Sequence, residues 1–286
     1  MNDIIPTNKV VDLRNYAAQA IAQVCDFREA ENIVFEIFEH YLGWKRTDVV
    51  LNAQERISES EMLLVYKAAK RVAKGEPWQY VRGTAYFCGM ELKVNSSVLI
   101  PRPETEELVE WIRYSHSSDA LTLLDVGTGS GAIALALKSY SADWNVHALD
   151  VSETALKVAK ENADTIFLKV HFHHLNALEA ALPEFGWDII VSNPPYIPRK
   201  EKSQMIPQVV NHEPSLALFV PDEDDLIFYR RIIEEGKRLK CRTIYFEIHE
   251  ARAEGVMNLF EVNGYESELK LDLQKKPRMV RGFLKE

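Results

Sequence analysis

The chain has 286 residues, of which 47% are hydrophobic and 27% are charged. This composition supplies a full core and excludes a globally disordered chain, and the length allows two domains. The formal net charge of −9 argues against a surface built to coat nucleic acid, which is usually basic. No stretch approaches the ~20 apolar residues that a membrane span needs. Three widely spaced cysteines predict neither a disulfide framework nor a zinc site, so a reducing, cytoplasmic setting is expected.

The N-terminal part of the chain has the apolar periodicity of helices. Three patterns with i, i+3, i+4 spacing run through residues 13–24, 34–41 and 62–72. Gly43 follows the second pattern as a stop signal, and Ser58 with Glu61 forms a capping-box signature before the third. We therefore predict a small helical-bundle domain over residues 1–76.

A linker follows the predicted bundle. Residues 78–99 are rich in Tyr, Phe and Val, and their alternation predicts two strands that form a hairpin. Pro101-Arg102-Pro103 then breaks the chain, and a new helix is expected from Glu104. We assign residues 77–103 to a β-hairpin linker.

From about residue 120, apolar strands alternate with helical patterns. Strands are expected at residues 121–126, 146–151, 171–174, 188–192 and 243–248, with helices at 132–139 and 153–162. This alternation is typical of a mostly parallel sheet with helices on both faces. Two last runs, 267–273 and 279–284, have no helix between them and predict an antiparallel pair. Residues 104–286 are therefore expected to form an α/β domain with a Rossmann-like, seven-stranded sheet.

A glycine-rich loop follows the first strand of this domain. Gly127-Thr128-Gly129-Ser130-Gly131 opens a helix, where glycines permit a sharp turn and the close approach of a ligand. A tight structural turn would have the same pattern. However, Asp150 ends the second strand, where an acidic residue can bind both hydroxyls of a ribose. A nucleoside ligand is therefore predicted, either NAD or S-adenosyl-L-methionine (AdoMet). Asp125 favours AdoMet, because a carboxylate suits the cationic amino end of methionine and disfavours a pyrophosphate.

The tetrapeptide Asn193-Pro194-Pro195-Tyr196 directly follows an apolar strand, and it should face the same crevice as the glycine loop. The Asn193 side-chain oxygen and the Pro194 carbonyl can each accept an N–H of a planar nitrogen. The two prolines stiffen the loop, and Tyr196 offers a flat ring on which an amide or a base can lie. A plain turn after a strand would explain any Asn-Pro pair, but an Asn-Pro-Pro-aromatic run downstream of the glycine loop is much more specific. The tetrapeptide therefore predicts methyl transfer to an amide or amino nitrogen.

The substrate stays open at this point between two chemical classes. A glutamine-type amide and a flipped nucleic-acid base, methylated at adenine N6 or guanine N2, both present a planar nitrogen. The acidic charge and the helical N-terminal domain favour a protein substrate, whereas a base methyltransferase should show a basic recognition segment. The intact tetrapeptide argues against a third alternative, a nucleotide-binding scaffold without catalytic activity.

The chain resembles the bacterial peptide-chain release factor glutamine N5-methyltransferases, the HemK/PrmC family, over nearly its whole length. Four stretches carry the resemblance: residues 99–106 with the sequence LIPRPETE, 124–134 with LDVGTGSGAIA, 191–197 with VSNPPYI, and His212-Glu213-Pro214. The resemblance implies a protein methyltransferase that uses AdoMet and releases S-adenosyl-L-homocysteine. It implies that the substrate is the glutamine of the Gly-Gly-Gln motif in release factors 1 and 2, which the N-terminal bundle helps to hold.

The resemblance also implies the site residues. The catalytic residues would be Asn193, Pro194, Pro195 and Tyr196, and the cofactor-binding residues would be Asp125, Gly127, Thr128, Gly129, Ser130, Gly131, Asp150, Asn176, Ala177 and Asn193. The family often has an Asp-aromatic pair near the adenine, where this chain has Asn176-Ala177. We expect no metal site, no direct nucleic-acid specificity, no membrane partner and a monomeric protein.

Overall fold

The computed structural model describes residues 7–116 and 120–284. The described residues divide into two compact units. One extends to Gly83 and includes Pro207–His212, and the other comprises Thr84–Ile206 and the residues from Glu213 onward. No helix in the described ranges is long and apolar enough to cross a membrane.

The first unit is helical, as the apolar periodicity predicts. Its helices are α1 (Val10–Ile21), α2 (Phe27–Leu42), α3 (Arg46–Leu51), α4 (Glu59–Val72) and α5 (Trp78–Arg82), together with α9 (Pro207–His212). Gly43 ends α2 in the left-handed conformation, with φ of 69°. The capping box before α4 is confirmed: the Ser58 amide donates to Glu61 Oε2 at 2.8 Å, and the Glu61 amide donates to Ser58 Oγ at 3.2 Å.

The hairpin is shorter than the sequence pattern predicts. Its strands are β1 (Thr84–Phe87) and β2 (Met90–Lys93), which pair antiparallel. A strand beginning at residue 78 is wrong, because Trp78–Arg82 is the helix α5. Trp78 and Val81 pack in the core of the helical unit, and the Trp78 indole donates to Glu36 Oε2 at 2.7 Å. The alternation of large residues therefore reflects one buried helical face.

The second unit contains the expected seven-stranded sheet. Its strands, in chain order, are β3 (Thr122–Val126), β4 (Asn145–Asp150), β5 (His171–His174), β6 (Ile189–Ser192), β9 (Thr243–Glu247), β10 (Glu266–Leu271) and β11 (Pro277–Phe283). They lie in the order β10-β11-β9-β6-β3-β4-β5. β3, β4, β5, β6 and β9 are mutually parallel, whereas β11 is antiparallel to both of its neighbours. Two short strands, β7 (Ile197–Pro198) and β8 (Phe219–Val220), pair separately.

Helices cover both faces of this sheet, because successive strand residues are apolar on both sides. The helices of this unit are α6 (Pro103–Ser115), α7 (Ala132–Tyr140), α8 (Glu153–Thr165), α10 (Ser215–Leu218), α11 (Ile227–Arg238) and α12 (Ala253–Val262). One core contains Tyr245 with α6 and α7, and the other contains Phe246 with α11 and α12. The carboxyl ends of β3, β4 and β6 therefore meet at one edge, where ligands bind in such sheets.

Candidate active site

In the glycine loop, glycines that face open space alternate with buried hydroxyl residues. Gly127 and Gly129 have positive φ, and a Cβ at either would meet no atom within 4 Å. Thr128 and Ser130 between them are buried. Gly131 also has positive φ, and a Cβ there would lie 3.2 Å from Ala159 Cβ. The first two glycines thus leave a cradle beside the backbone, and the third allows α7 to pack closely on α8.

Asp125 lies behind the glycine loop. Its carboxylate is fully buried, and Oδ2 accepts a hydrogen bond from Thr128 Oγ1 at 2.6 Å. Burial raises the pKa of Asp125 to about 7, more than the bond from Thr128 offsets. Asp125 does not line the cavity described below. Its hydrogen-bond partners are Thr128 in the glycine loop and the Ala134 amide in α7, so Asp125 holds the loop in shape.

Asp150 ends β4 opposite the loop. Its Oδ2 accepts from the Gly129 amide at 2.9 Å, and its Oδ1 accepts from the Ser152 amide at 2.9 Å. Burial raises the pKa of the Asp150 carboxyl, while hydrogen bonds from the backbone amides of Ser152, Gly129 and Val151 oppose the shift. A carboxylate can accept further hydrogen bonds beside those from backbone amides, so neighbouring hydroxyls can still donate to Asp150.

The Asn-Pro-Pro-Tyr segment begins immediately after β6. Ser192 Oγ donates to the Val126 carbonyl at 2.7 Å, which joins the ends of β6 and β3. Asn193 Nδ2 donates to Thr105 Oγ1 at 3.2 Å, and among the described residues no donor contacts Asn193 Oδ1. The centroids of the Tyr196 and His249 rings lie 5.9 Å apart. Burial raises the pKa of the Tyr196 hydroxyl.

Thr105 also bonds to a buried carboxyl behind the segment. Thr105 Oγ1 donates to Glu247 Oε2 at 2.6 Å, and both residues are buried, at 4% and 2% exposure. Burial raises the pKa of Glu247 to about 7. Glu247 does not line the cavity, and His249 caps a short 3-10 helix through Nδ1. Neither side chain is placed as a base for a ligand in the cavity.

A cavity of about 210 Å³ joins these features. Of the residues predicted from sequence, its lining contains Gly127, Gly129, Asp150, Asn176, Ala177, Asn193, Pro194 and Pro195. Asp125, Thr128, Ser130, Gly131 and Tyr196 lie outside this lining. The lining also contains residues that no sequence pattern predicts as part of the site, which include Val98, Leu99, Leu216 and Phe228.

Two of the stretches that carry the family resemblance meet at the cavity. Arg102 Nη2 donates to Glu213 Oε1 at 2.5 Å, and the Glu213 side chain is 1% exposed. Leu99, shortly before Arg102 in the sequence, and Pro214, directly after Glu213, both line the cavity. The ion pair therefore joins the segment before α6 to the segment before α10 along one wall.

The segment after β5 forms another wall. Asn176 Oδ1 accepts from the Leu178 amide at 3.1 Å, so its Nδ2 group is left as a donor. The Ala177 carbonyl accepts from Arg231 Nε on α11 at 3.1 Å. Phe228 is three residues before Arg231 and therefore on the same helix face. It lines the cavity together with Asn176 and Ala177.

These features fit AdoMet. A backbone cradle without Cβ atoms is present at Gly127 and Gly129, and an acidic pair of acceptors for a ribose is present at Asp150. The remaining wall is largely apolar, which suits a purine and a thioether-like chain. Among the described residues no group of three or more His, Cys, Asp or Glu side chains is arranged to hold a metal ion.

The seven-stranded sheet, the glycine loop and this cavity define a Rossmann-like, AdoMet-dependent methyltransferase. Residues 103–216 match the family model of the methyltransferase small domain, and residues 12–83 match that of the PrmC N-terminal domain. Solved structures with this fold include the hMettl16 catalytic domain in complex with MAT2A 3′UTR hairpin 6. Its TM-score is 0.55 at 15% identity, covering 80% of this chain and 83% of that one. A methyltransferase from Pyrococcus furiosus has a TM-score of 0.51 at 14% identity, covering 68% and 89%.

Curated relatives identify the family. The release factor glutamine methyltransferase of Bacteroides thetaiotaomicron is 40% identical over 253 residues, which cover 87% of this chain and 91% of the relative. The enzyme of the same description from Streptococcus pneumoniae is 43% identical over 235 residues, covering 81% and 83%. The chain belongs to the release factor glutamine methyltransferase family, and the fold and family expected from the sequence motifs are confirmed.

Proposed function

We propose that this protein transfers a methyl group from AdoMet to the side-chain amide nitrogen, N5, of the glutamine in the Gly-Gly-Gln motif of release factors 1 and 2. One observation carries the proposal: Asn193 lines the cavity with an Oδ1 that has no donor among the described residues, directly after β6 and beside the glycine loop. The relatives, named as release factor glutamine methyltransferases, support the choice of substrate.

The cofactor would be held by backbone and carboxylate groups. Asp150 would accept the two ribose hydroxyls with the lone pairs that its amide bonds leave free. Gly127 and Gly129 would let the backbone approach the methionine part, and Asp125, with Thr128, would keep that loop in shape. Asn176 Nδ2 would donate to a ring nitrogen of the adenine. Bound in this way, AdoMet supplies an electrophilic methyl group and leaves as S-adenosyl-L-homocysteine.

The protein's contribution to the reaction would be to position a poor nucleophile. The lone pair of an amide nitrogen is delocalised into the carbonyl, so the nitrogen must be held in line with the methyl group. Asn193 Oδ1 would accept one N–H of the glutamine amide, and the Pro194 carbonyl would accept the other. These bonds strengthen as the nitrogen becomes pyramidal, which stabilises the transition state more than the bound substrate. Tyr196 would offer a flat surface to the amide.

No strong base is required in this scheme. The new N–C bond forms as the S–C bond breaks, and the nitrogen then carries a proton that is acidic enough to pass to water. The buried carboxyl of Glu247 is consistent with this, because it is bonded to Thr105 and does not line the cavity. Methylation of a bacterial release factor would place the reaction in the cytoplasm. The predicted monomeric state stays a prediction.

A labelling experiment separates the two substrate classes. The protein is incubated with methyl-labelled AdoMet and either a purified release factor, the same factor with its Gly-Gly-Gln glutamine changed to alanine, or DNA and RNA. We expect label only in the unaltered release factor, in a peptide that contains the glutamine. Label in nucleic acid alone would refute the proposal and favour base methylation.

The variant Asn193→Ala tests the assigned role of the tetrapeptide. The loss of one well-placed acceptor should lower kcat on the order of 100-fold or more. AdoMet affinity should change little, because Asp150 and the glycine loop are untouched. Calorimetric AdoMet titration checks this, and a complete loss of AdoMet binding would show that Asn193 serves the cofactor instead of the substrate.

A further inference from the structure

We propose that Thr105 and Glu247 are positioning residues, which fix the orientation of the Asn193 amide so that its oxygen, and not its nitrogen, faces the substrate. The three side chains form a continuous chain of hydrogen bonds from α6 and β9 to the loop after β6. The inference rests on the proposed function, since it explains how that site obtains its acceptor.

The direction of each bond follows from chemistry. An ionised carboxylate only accepts hydrogen bonds, so the Thr105 hydroxyl must donate its single proton to Glu247 Oε2, at 2.6 Å. Thr105 Oγ1 is then left as an acceptor, and its remaining partner is Asn193 at 3.2 Å. Only the NH₂ end of the Asn193 amide can donate to it. Oδ1 must therefore point away from Thr105.

An asparagine without such a chain could present either end of its amide. Rotation by about 180° exchanges Oδ1 and Nδ2 with little change in shape. A flipped Asn193 would direct N–H groups at the N–H groups of a glutamine amide, which would repel the substrate in the reactive position. The loop is therefore productive only when the Asn193 amide has a fixed orientation. Fixing that orientation explains why the Glu247 carboxyl is buried, at 2% exposure, behind the loop.

The surroundings favour the ionised carboxylate only in part. Hydrogen bonds from the Thr105 and Asn193 side chains and the positive charge of Arg278 on β11 stabilise the ionised form of Glu247, whereas Glu104 on α6 opposes it. The Tyr229 hydroxyl on α11 donates to the Glu247 carbonyl at 3.2 Å, and Tyr196 lies near the carboxyl. Burial outweighs the attraction, so the pKa of Glu247 is raised to about 7. A protonated Glu247 can donate to Thr105 Oγ1, and the chain then no longer dictates the direction of Asn193.

Substitutions at Thr105 test the chain. Thr105→Val keeps the shape and removes both hydrogen bonds, so kcat for release-factor methylation should fall at least tenfold, while the Kd for AdoMet stays within about twofold. Thr105→Ser keeps the hydroxyl and should recover most of the lost kcat. Thr243→Val is the matched control, because Thr243 is a buried threonine at the opposite end of the strand that carries Glu247.

The pH profile provides a readout that packing alone would not move. In the unaltered protein, kcat should decline as the pH falls through about 7, when Glu247 becomes protonated. Glu247→Gln should lack this acid limb, because its side chain no longer titrates.

The outcomes separate the inference from the function on which it rests. If the unaltered protein methylates the release factor and Thr105→Val does so at an equal rate, the positioning role is wrong and the proposed function stands. Equal losses in Thr105→Val and Thr105→Ser, or a matching loss of AdoMet affinity, would also refute the role. Absence of release-factor methylation by the unaltered protein would instead refute the proposed function.

Discussion

At the scale of single residues, the cavity obtains an aromatic surface from a place that the family motifs do not indicate. Ala177 occupies a position where the family resemblance leads us to expect an aromatic residue, and its small side chain offers no ring. Phe228 lines the same cavity from α11. Arg231, one helical turn later, bonds to the Ala177 carbonyl at 3.1 Å and to the Ala180 carbonyl at 2.9 Å. The helix face that carries Phe228 is thus fixed against this segment.

We therefore predict that Phe228 contributes to AdoMet affinity. Phe228→Ala should weaken AdoMet binding by about tenfold, because a stacked aromatic contact and its buried area contribute ~1–2 kcal/mol. Phe228→Tyr should bind almost as tightly as the unaltered protein. Phe185→Ala removes an exposed phenylalanine that does not line the cavity, so it serves as the control. Calorimetric titration measures the three affinities, and an unchanged Kd for Phe228→Ala would exclude the contact.

At the scale of elements, one buried side chain joins the hairpin, the glycine loop and α8. Asn162 is 1% exposed. Its Oδ1 accepts from the Lys93 amide at 2.7 Å, and its Nδ2 donates to the Lys93 carbonyl at 3.1 Å and to the Ser130 carbonyl at 2.9 Å. The hairpin is thus attached to the helix that supports the loop, and three backbone groups depend on one side chain.

Removal of the Asn162 side chain should lower both the stability of the protein and its affinity for AdoMet. Asn162→Ala leaves buried backbone groups without partners, so the free energy of unfolding should fall by about 1–3 kcal/mol. AdoMet affinity should fall as well, because the Ser130 carbonyl lies in the glycine loop. Asn263→Ala is a suitable control, since Asn263 Nδ2 bonds only to the Leu259 carbonyl of its own helix. Thermal unfolding and AdoMet titration test the pair, and equal effects of the two substitutions would contradict the assigned role of Asn162.

The elements that the sequence predicts well are those with local signals. The strands and helices of the sheet follow from periodicity, and the glycine loop and the Asn-Pro-Pro-Tyr segment follow from short motifs at strand ends. The sequence predicts a strand where Trp78–Arg82 forms a helix, because five residues are too few to separate the two periodicities. The hairpin that the sequence predicts is present, and its turn uses Cys88 at φ of 47°, where Asn is usual.

Contacts between distant segments have no such local signal. Thr105 and Glu247 are 142 residues apart, and Asn162 and Lys93 are 69 residues apart. Each pair meets only because the strand order brings the two elements together. The sequence therefore predicts which residues would contact the ligands more readily than which residues position them.

At the scale of the whole molecule, the buried carboxyls of the site lower the free energy of unfolding when they are ionised. Burial raises the pKa of Glu247 to about 7 from an ordinary value of 4.5, and it raises the pKa of Asp125 to about 7 from 3.8. The folded protein thus binds these protons more tightly than the unfolded chain does. Their contribution to stability is complete below the ordinary pKa values and is lost as the pH rises towards about 7. Carboxyls with lowered pKa values, such as Glu76 and Asp272, have the opposite dependence at lower pH.

The variant Glu247→Gln should expose this cost. At about pH 8.5 the native protein must keep an ionised carboxylate buried, and a neutral amide avoids a penalty of up to about 3 kcal/mol. At about pH 5 the carboxyl is already neutral, so the substitution should change stability little. The rise in Tm relative to the unaltered protein should therefore be larger at the higher pH. Glu254→Gln, at an exposed position on α12, serves as the control. An equal or smaller rise for Glu247→Gln at the higher pH would contradict the burial argument. A larger rise combined with a lower kcat would show that the protein gives up stability to keep a charge behind Asn193.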